Sequence, residues 1–402
     1  MKVKYVPDIR FSEFSTDWNH HTLGDLIEIS SASRVHKNEW TTSGVRFFRS
    51  SDVVANFKGK KNIPAFISNE LYKSLSERSG VLQPDDLLVT GGGSIGIPYL
   101  VTDKEPLYFK DADLLWLKSA NKIDGHFLYY YFLTPQLRKY ILSVTHIGTI
   151  SHYTIEQSKA TPIILPDVVE QTKIGKFFKK LDSTIARQEQ ELATLKQTKQ
   201  GFLQKMFPKE GESVPDLRFP GFTENWKNFM LSDVATFING RAYKQQELLN
   251  SGKYKVLRVG NFYTNNTWYY SDLELGEKYY ADTGDLLYTW SASFGPHIWQ
   301  GDKVIYHYHI WKVELKSGFD KQFAVQLLEY DKAKILNDKN GSTMVHITKK
   351  GMEEKRVLLP SIEEQIQIGK FLKQLEDVIT IHQQELDILK QTKKAFLQKM
   401  FV

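Results

Sequence analysis

An α+β fold is predicted: two mixed, β-rich domains joined by two long antiparallel coiled-coil helices, arranged as a pseudo-twofold internal repeat. Three observations predict it. Residues 165–207 and 359–401 match without a gap, with about 25 of 43 positions identical. The lead-in PDIRFSEFSTDW, from Pro7 to Trp18, returns as PDLRFPGFTENW, from Pro215 to Trp226. Between each lead-in and each matched segment lies a long stretch that shares little with its counterpart, so one constant scaffold frames two divergent modules. Residues 1–158 hold the first module and its lead-in, 159–214 the first constant region, 215–352 the second module and its lead-in, and 353–402 the second constant region.

Within each constant region, seam residues recur at alternating spacings of three and four. In the first copy they are Leu181, Ile185, Gln188, Leu192, Leu195, Lys199 and Phe202; in the second, Leu375, Ile379, His382, Leu386, Leu389, Lys393 and Phe396. That pattern is a coiled-coil stripe. A helix of about 35 to 40 residues is some 55 to 60 Å long, more than one small domain buries, so the two stripes are expected to cover each other. Gln188 and His382 occupy equivalent polar seam positions, as do Lys199 and Lys393; such residues fix register and orientation at a cost in stability. Pro208 and the polar KEGESVPD that follows read as a linker. An antiparallel pair about a pseudo-twofold brings the end of the second helix back to the start of the chain.

The modules, about 23–158 and 231–351, read as mainly β with a few helices. Three landmarks recur in order: FFRSSDV against VLRVGNF, PDDLLVTGGGSIG against TGDLLYTWSASFG, and IGTISHYTIEQ against NGSTMVHITKK. They set Arg49 opposite Arg258 and His152 opposite His346. The strand-and-loop signals nominate as ligand contacts Arg49, Ser50, Ser51, Gly91, Gly92, Gly93, Ser94, His152 and Tyr153 in the first module. In the second they nominate Arg258, Asn261, Tyr263, Trp290, Ser291, Ser293, His346 and Lys349. Most of the second module's many aromatics are accounted for as half-buried strand residues.

Composition narrows the class. With 402 residues, 41% hydrophobic and 25% charged, the chain suits two globular domains. It has no Cys, hence no disulfide or thiolate metal site. The opening MKVKYVPDIRFSEF lacks the features of a signal peptide and no run reaches the length of a membrane span, so a cytoplasmic protein is expected. A net charge of +6, from 53 basic and 47 acidic residues, permits a nucleic-acid partner without demanding one. Gly91, Gly93 and Gly96 satisfy GxGxxG, but Pro98 and Tyr99 stand where a helix should open, which argues against a dinucleotide site. His307 and His309 share a strand face without a third ligand, and no metal site is expected. No complete catalytic apparatus is present.

These features together resemble the specificity subunit of type I restriction-modification systems. The resemblance rests on two LP-x3-EQ-x2-IGKF segments, at 165–178 and 359–372 with the latter ending KFL, each leading into a long helix, and on a GD[LI]L-like strand and loop in each module. One departure is that Pro84-Asp85 in the first module replaces the Gly of Gly284-Asp285 in the second, a minor turn change. The resemblance implies a non-catalytic subunit whose modules are target-recognition domains, each reading half of a bipartite asymmetric site in double-stranded DNA. It implies helices that set the spacer and dock two modification subunits, with restriction subunits joining through them. S-adenosylmethionine, ATP and Mg are then expected on those partners. The alternative from another class is a coiled-coil scaffold with two β domains that bind proteins or glycans.

Overall fold

The computed structural model describes residues 5–102, 104–110, 114–119, 122–145, 151–263, 265–291, 293–337 and 347–402. The chain forms two compact units, Met1–Glu189 with Gln384–Val402, and Gln190–Gln383. The expected α+β class and internal repeat are what is found. Each unit contains one module and part of both long helices, Val168–Lys205 and Ile362–Lys399, of 38 residues each.

In the first unit a four-stranded antiparallel sheet runs in the order Glu28–Ser30, Leu114–Lys118, Leu87–Thr90, Pro98–Leu100. A smaller sheet places Val45–Phe48 between Ala65–Ile67, antiparallel, and Leu107–Phe109, parallel. The second unit repeats both. Its four strands are Ala235–Asn239, Ile310–Leu315, Leu286–Thr289 and Gly295–Ile298. Its second sheet pairs Tyr254–Leu257 with Tyr269–Ser271, antiparallel, and Val304–Tyr306, parallel, and adds Tyr280–Ala281. Strand Leu87–Thr90 is buried on both faces, and the period of two sorts its side chains. Leu87 and Val89 join the core beneath the helices, whereas Leu88 faces Phe48, Phe109 and Trp116 of the second sheet's core. Leu286 and Tyr288 against Leu287 repeat that division.

Both copies of the LP-x3-EQ-x2-IG motif make the same polar contacts at Glu and Gln. Asp167 Oδ1 accepts the Glu170 N–H at 2.9 Å and so caps the first long helix; Ser361 Oγ does the same for Glu364 at 3.4 Å. Glu170, fully buried, takes a bidentate grip from Arg10 at 2.7 Å through both oxygens, and Glu364 takes one from Arg218 at 2.8 and 2.7 Å. The lead-in arginines are thereby tied to the scaffold. Gln171 accepts the Asp124 N–H at 3.0 Å and donates to Pro166 O at 2.9 Å; Gln365 does likewise with Asp320 and Pro360, both at 3.0 Å. A Cβ on Gly175 would lie 2.8 Å from Asp124 Oδ1, and one on Gly369 would lie 2.6 Å from Phe323 N, so neither helix has room for a side chain there.

The helices run antiparallel within each unit. In the first, Lys393 pairs with Asp182 at 2.5 Å, Lys390 with Glu189 at 2.6 Å, and Gln188 donates to Glu385 at 3.0 Å. In the second, Lys199 pairs with Glu376 and Lys196 reaches Gln383 at 3.2 Å. These are repeat equivalents, since residue 182 corresponds to 376 and residue 199 to 393. Ile185, Gln188, Leu192 and Leu386 are buried; Leu181, Leu195, Phe202, Leu375, Ile379, His382, Leu389 and Phe396 are half-buried. Each helix ends inside a core. Phe401 lies 5.3 Å from Phe127, and Phe207 lies 5.3 Å from Phe323. Ile9 N–H donates to Lys399 O, and Leu217 N–H to Lys205 O, both at 2.9 Å, so the second helix does end beside the lead-in of the first module. Among the described residues no helix is long and apolar enough to cross a membrane.

Because Glu170 is buried with Arg10 as its charged partner, Arg10→Ala leaves an uncompensated carboxylate and is expected to cost about 3–5 kcal/mol in urea denaturation. The double variant Arg10→Met/Glu170→Met should be much less destabilised, and equal losses in both would refute this account of the pair.

Candidate nucleic-acid interface

Both modules place their nominated arginine at the same structural position, the residue that ends the central strand of the smaller sheet and caps the next helical turn. In the first unit that turn is Ser50–Phe57, and Arg49 N–H donates to Asp52 Oδ2 at 3.0 Å. In the second it is Val259–Phe262, and Arg258 N–H donates to Asn261 Oδ1 at 3.0 Å. The guanidinium groups then turn inward. Arg49 Nε meets Asp52 Oδ2 at 2.7 Å, its Nη2 donates to Ile63 O at 2.7 Å, and Arg46 reaches the same buried Asp52 at 3.0 Å. Arg258 Nη2 donates to Thr267 O at 3.1 Å, with its guanidinium 4.3 Å from the Tyr269 ring centroid. Asn261 Nδ2 reaches Asn265 O and Thr267 O, both at 3.0 Å. Both arginines, and Asn261, brace the loop that follows.

Those loops differ in chemistry. Lys58, Lys60 and Lys61 around Gly59 are exposed in the first unit, and Ile63 beside them is 83% exposed. Ser51 is exposed and accepts from Asn62 Nδ2 at 3.1 Å, while Ser50 is half-buried. The second unit's loop carries no charge: Tyr263 is exposed and its hydroxyl lies 3.4 Å from His297 Nε2. Thr289 Oγ1 shares that nitrogen at 3.3 Å, and the imidazole stacks on Phe262 at 4.1 Å. The lysine tip was missed in the sequence, although three lysines in four positions around a glycine signalled it.

Glycines 91, 93 and 96 turn a β-hairpin rather than opening a helix, so no helix N-terminus meets a phosphate there. Gly91 and Gly92 are buried: Gly91 O accepts Tyr153 N–H at 2.7 Å, and Gly92 bridges His152. Gly93, at φ +65°, and Ser94 form the exposed tip. Thr90 Oγ1 donates to Ser94 O and accepts Ile97 N–H at 2.9 Å, bracing the loop from within. From outside, Arg138 Nη1 donates to Ile95 O at 3.0 Å and Gly96 O at 2.7 Å. The equivalent loop in the second unit has Thr289 donating to Gly295 O at 3.3 Å, and Lys332 stands over Gly295, where a Cβ would come 2.9 Å from Nζ. Neither Arg138 nor Lys332 was singled out in the sequence, because each arrives from a helix far along the chain.

The remaining nominees divide. Tyr153 is buried with its hydroxyl 2.6 Å from Thr161 Oγ1, a core position without access to a surface ligand. His152 is exposed. Trp290 is half-buried and its indole N–H donates to Tyr308 O at 3.0 Å; Ser291 is half-buried and Ser293 exposed. Lys349 is paired with Glu353 at 3.5 Å on a short helix, and His346 lies outside the described residues. Among the described residues no group of three His, Cys, Asp or Glu side chains is placed to hold a metal ion.

The sequence matches the family model described as type I restriction modification DNA specificity domain twice, over residues 15–197 and 223–391. The type I restriction enzyme MjaVIII specificity subunit of Methanocaldococcus jannaschii is 24% identical over 353 residues, covering 82% of this chain and 81% of that protein. The crystal structure of the S subunit of the type I restriction-modification system from M. genitalium superposes with a TM-score of 0.61 at 15% identity, covering 99% of both chains. A chain from a structure of type I restriction-modification complex assembly and conformational transition gives 0.57 at 16%, covering 94% of this chain and 96% of that one.

Burial and the nearby Lys332 ammonium push His297 down to about 4, and burial followed by His309 and Arg258 does the same to His307. In an unfolded chain imidazoles titrate near 6.5, so the unfolded state takes up protons first as pH falls. Stability from these neutral rings is therefore full above about pH 6.5 and is lost progressively toward pH 4. Melting curves between pH 7 and 4.5 should fall in Tm, and His297→Phe should flatten that fall; a variant with the same slope would refute the assignment.

Proposed function

Given that this chain belongs to the type I restriction-modification DNA specificity family, we propose that each unit reads one half of a bipartite, asymmetric site in double-stranded DNA. The chain is a specificity subunit, the DNA-recognition component and not the catalytic one. Membership sets aside the glycan- or protein-binding scaffold. In this reading the paired helices set the number of unread base pairs and dock two modification subunits, and restriction subunits join through them. S-adenosylmethionine, ATP and Mg bind on those partners.

One observation carries the proposal: the supports of the equivalent loops are kept while the loop surfaces are not. Arg49 and Arg258, and Thr90 and Thr289, fill matching bracing positions. Lysines and isoleucine at one tip are replaced by tyrosine and asparagine at the other. A framework that keeps its braces and varies its tips suits base readout, where side-chain donors and acceptors select base edges while cations grip phosphate. With each wrong pair costing roughly 1 to 3 kcal/mol, two coupled short readers reach a discrimination that neither attains alone.

Replacing residues 231–351 with the corresponding module of a relative should change one half-site and leave the other and the spacer intact, as read by selecting binding sites from random DNA. Both halves changing together would sink the modular reading. Adding one turn to each long helix should shift the preferred spacer, since each base pair advances the second half by about 3.4 Å and rotates it by roughly 34 to 36 degrees. An unchanged spacer would remove the helices from that role.

A further inference from the structure

We propose that residues 58–63 of the first unit form a wedge that unstacks one base step of bound duplex, with Ile63 inserted and Lys58, Lys60 and Lys61 on the flanking phosphates. The inference rests on the reading of the first unit as a DNA reader and assigns it a mechanism that the second unit lacks.

Single exposed apolar side chains are ordinary on protein surfaces. Ile63 differs in how it is held. Its carbonyl accepts from Arg49 Nη2 at 2.7 Å, its N–H donates to Asn62 Oδ1 at 3.0 Å, and Asn62 Nδ2 is anchored on Ser51 Oγ at 3.1 Å. Arg49 is in turn fixed by buried Asp52. Pro64 restricts the chain on the far side, and a β-branched side chain has few rotamers to lose. The most exposed large apolar side chain of the described residues is therefore presented on a braced backbone, so inserting it orders little that is not already ordered.

Charge gives the occupant. Lys58, Lys60 and Lys61 have no acidic partner among the described residues, and Asp52, in the first turn of the preceding helix, is shared by Arg46 and Arg49. An exposed apolar side chain that follows three exposed lysines in one loop fits a polyanion whose interior is apolar, which describes stacked bases between phosphate strands. At the same place the second unit has Tyr263, Asn265 and Thr267, without a cation or a fully exposed aliphatic side chain.

The test uses the full chain assembled with its modification subunits. Binding sites are first selected from random duplex, and 2-aminopurine is then placed at each position of the selected site. On binding, one step within one half-site should brighten several-fold. Ile63→Ala should abolish that signal and weaken binding about tenfold, as expected for one buried aliphatic side chain, with an unchanged melting temperature. Lys60→Ala/Lys61→Ala should keep the bright step but lower the slope of log affinity against log salt by about 2. An enriched site with no brightened step, or an Ile63→Ala variant that brightens and binds like the parent, overturns the wedge alone. A pool with no enriched sequence overturns the DNA reading and the wedge with it. A variant that keeps both DNA readouts but loses the modification subunits overturns the wedge in favour of a protein docking surface.

Discussion

Two copies of one helix lie antiparallel, and two of the polar contacts between them come in duplicate. Lys199 to Glu376 repeats Lys393 to Asp182, and Lys196 to Gln383 repeats Lys390 to Glu189. Exposed ion pairs of this kind contribute only about 0–1 kcal/mol each, so the apolar seam around Ile185, Leu192 and Leu386 supplies most of the attraction. The polar contacts instead choose the register. A slide of one turn parts all of them. Within each unit the module is tied to its helices, because Phe401 and Phe207 end in the two module cores and Arg10 and Arg218 tie the lead-ins to Glu170 and Glu364.

The near-identity of the repeats follows from this. Gln171 and Gln365 each satisfy a backbone N–H and a backbone carbonyl at a buried junction, and Gly175 and Gly369 leave room for the turn at Asp124 and Asp320. A changed side chain at any of them orphans a buried polar group or forces two backbones apart. The loop tips are less constrained, since Arg49, Arg258, Thr90, Thr289 and Arg138 grip carbonyl oxygens that every residue possesses.

Much of the scaffold was legible in the sequence, because the 3-4 spacing of Leu181 to Phe202 is long enough to exclude other periods. Strands LLVT and LLYT were legible as apolar runs bounded by small residues. The smaller sheet was not. Val45–Phe48 and Leu107–Phe109 are three to four residues long, lie far apart in the chain and pair in parallel, and nothing in their spacing announces a partner. At the nominated positions the sequence did not show which way each side chain turns. Arg49 reads as a free cation until Asp52, three residues on, is seen to be buried beneath it. Tyr153 reads as a surface neighbour of His152, but adjacent residues on an extended chain face opposite ways, and Tyr153 faces the core.

One turn shows how a constant frame tolerates change. Before each central strand the chain passes through a left-handed residue, Gly284 at φ +91° in the second unit and Asp85 at φ +72° in the first. Asp enters that region at modest cost, so the departure from the family pattern leaves the turn in place. The carboxylate after it is kept, and so is the backbone N–H three residues earlier that donates to it, while its side-chain partner is exchanged. Buried Asp86 accepts from Gln83 N, Trp116 Nε1 and Ser119 N, each at 2.8 Å, whereas Asp285 accepts from Asp282 N at 2.8 Å and pairs with Lys312 at 2.8 Å. Trp116 and Lys312 occupy the same register position of the neighbouring strand, so an indole and an ammonium serve one carboxylate equally. The left-handed turn and the carboxylate ahead of the strand are thus kept in both units, while the tip residues beyond the strand differ.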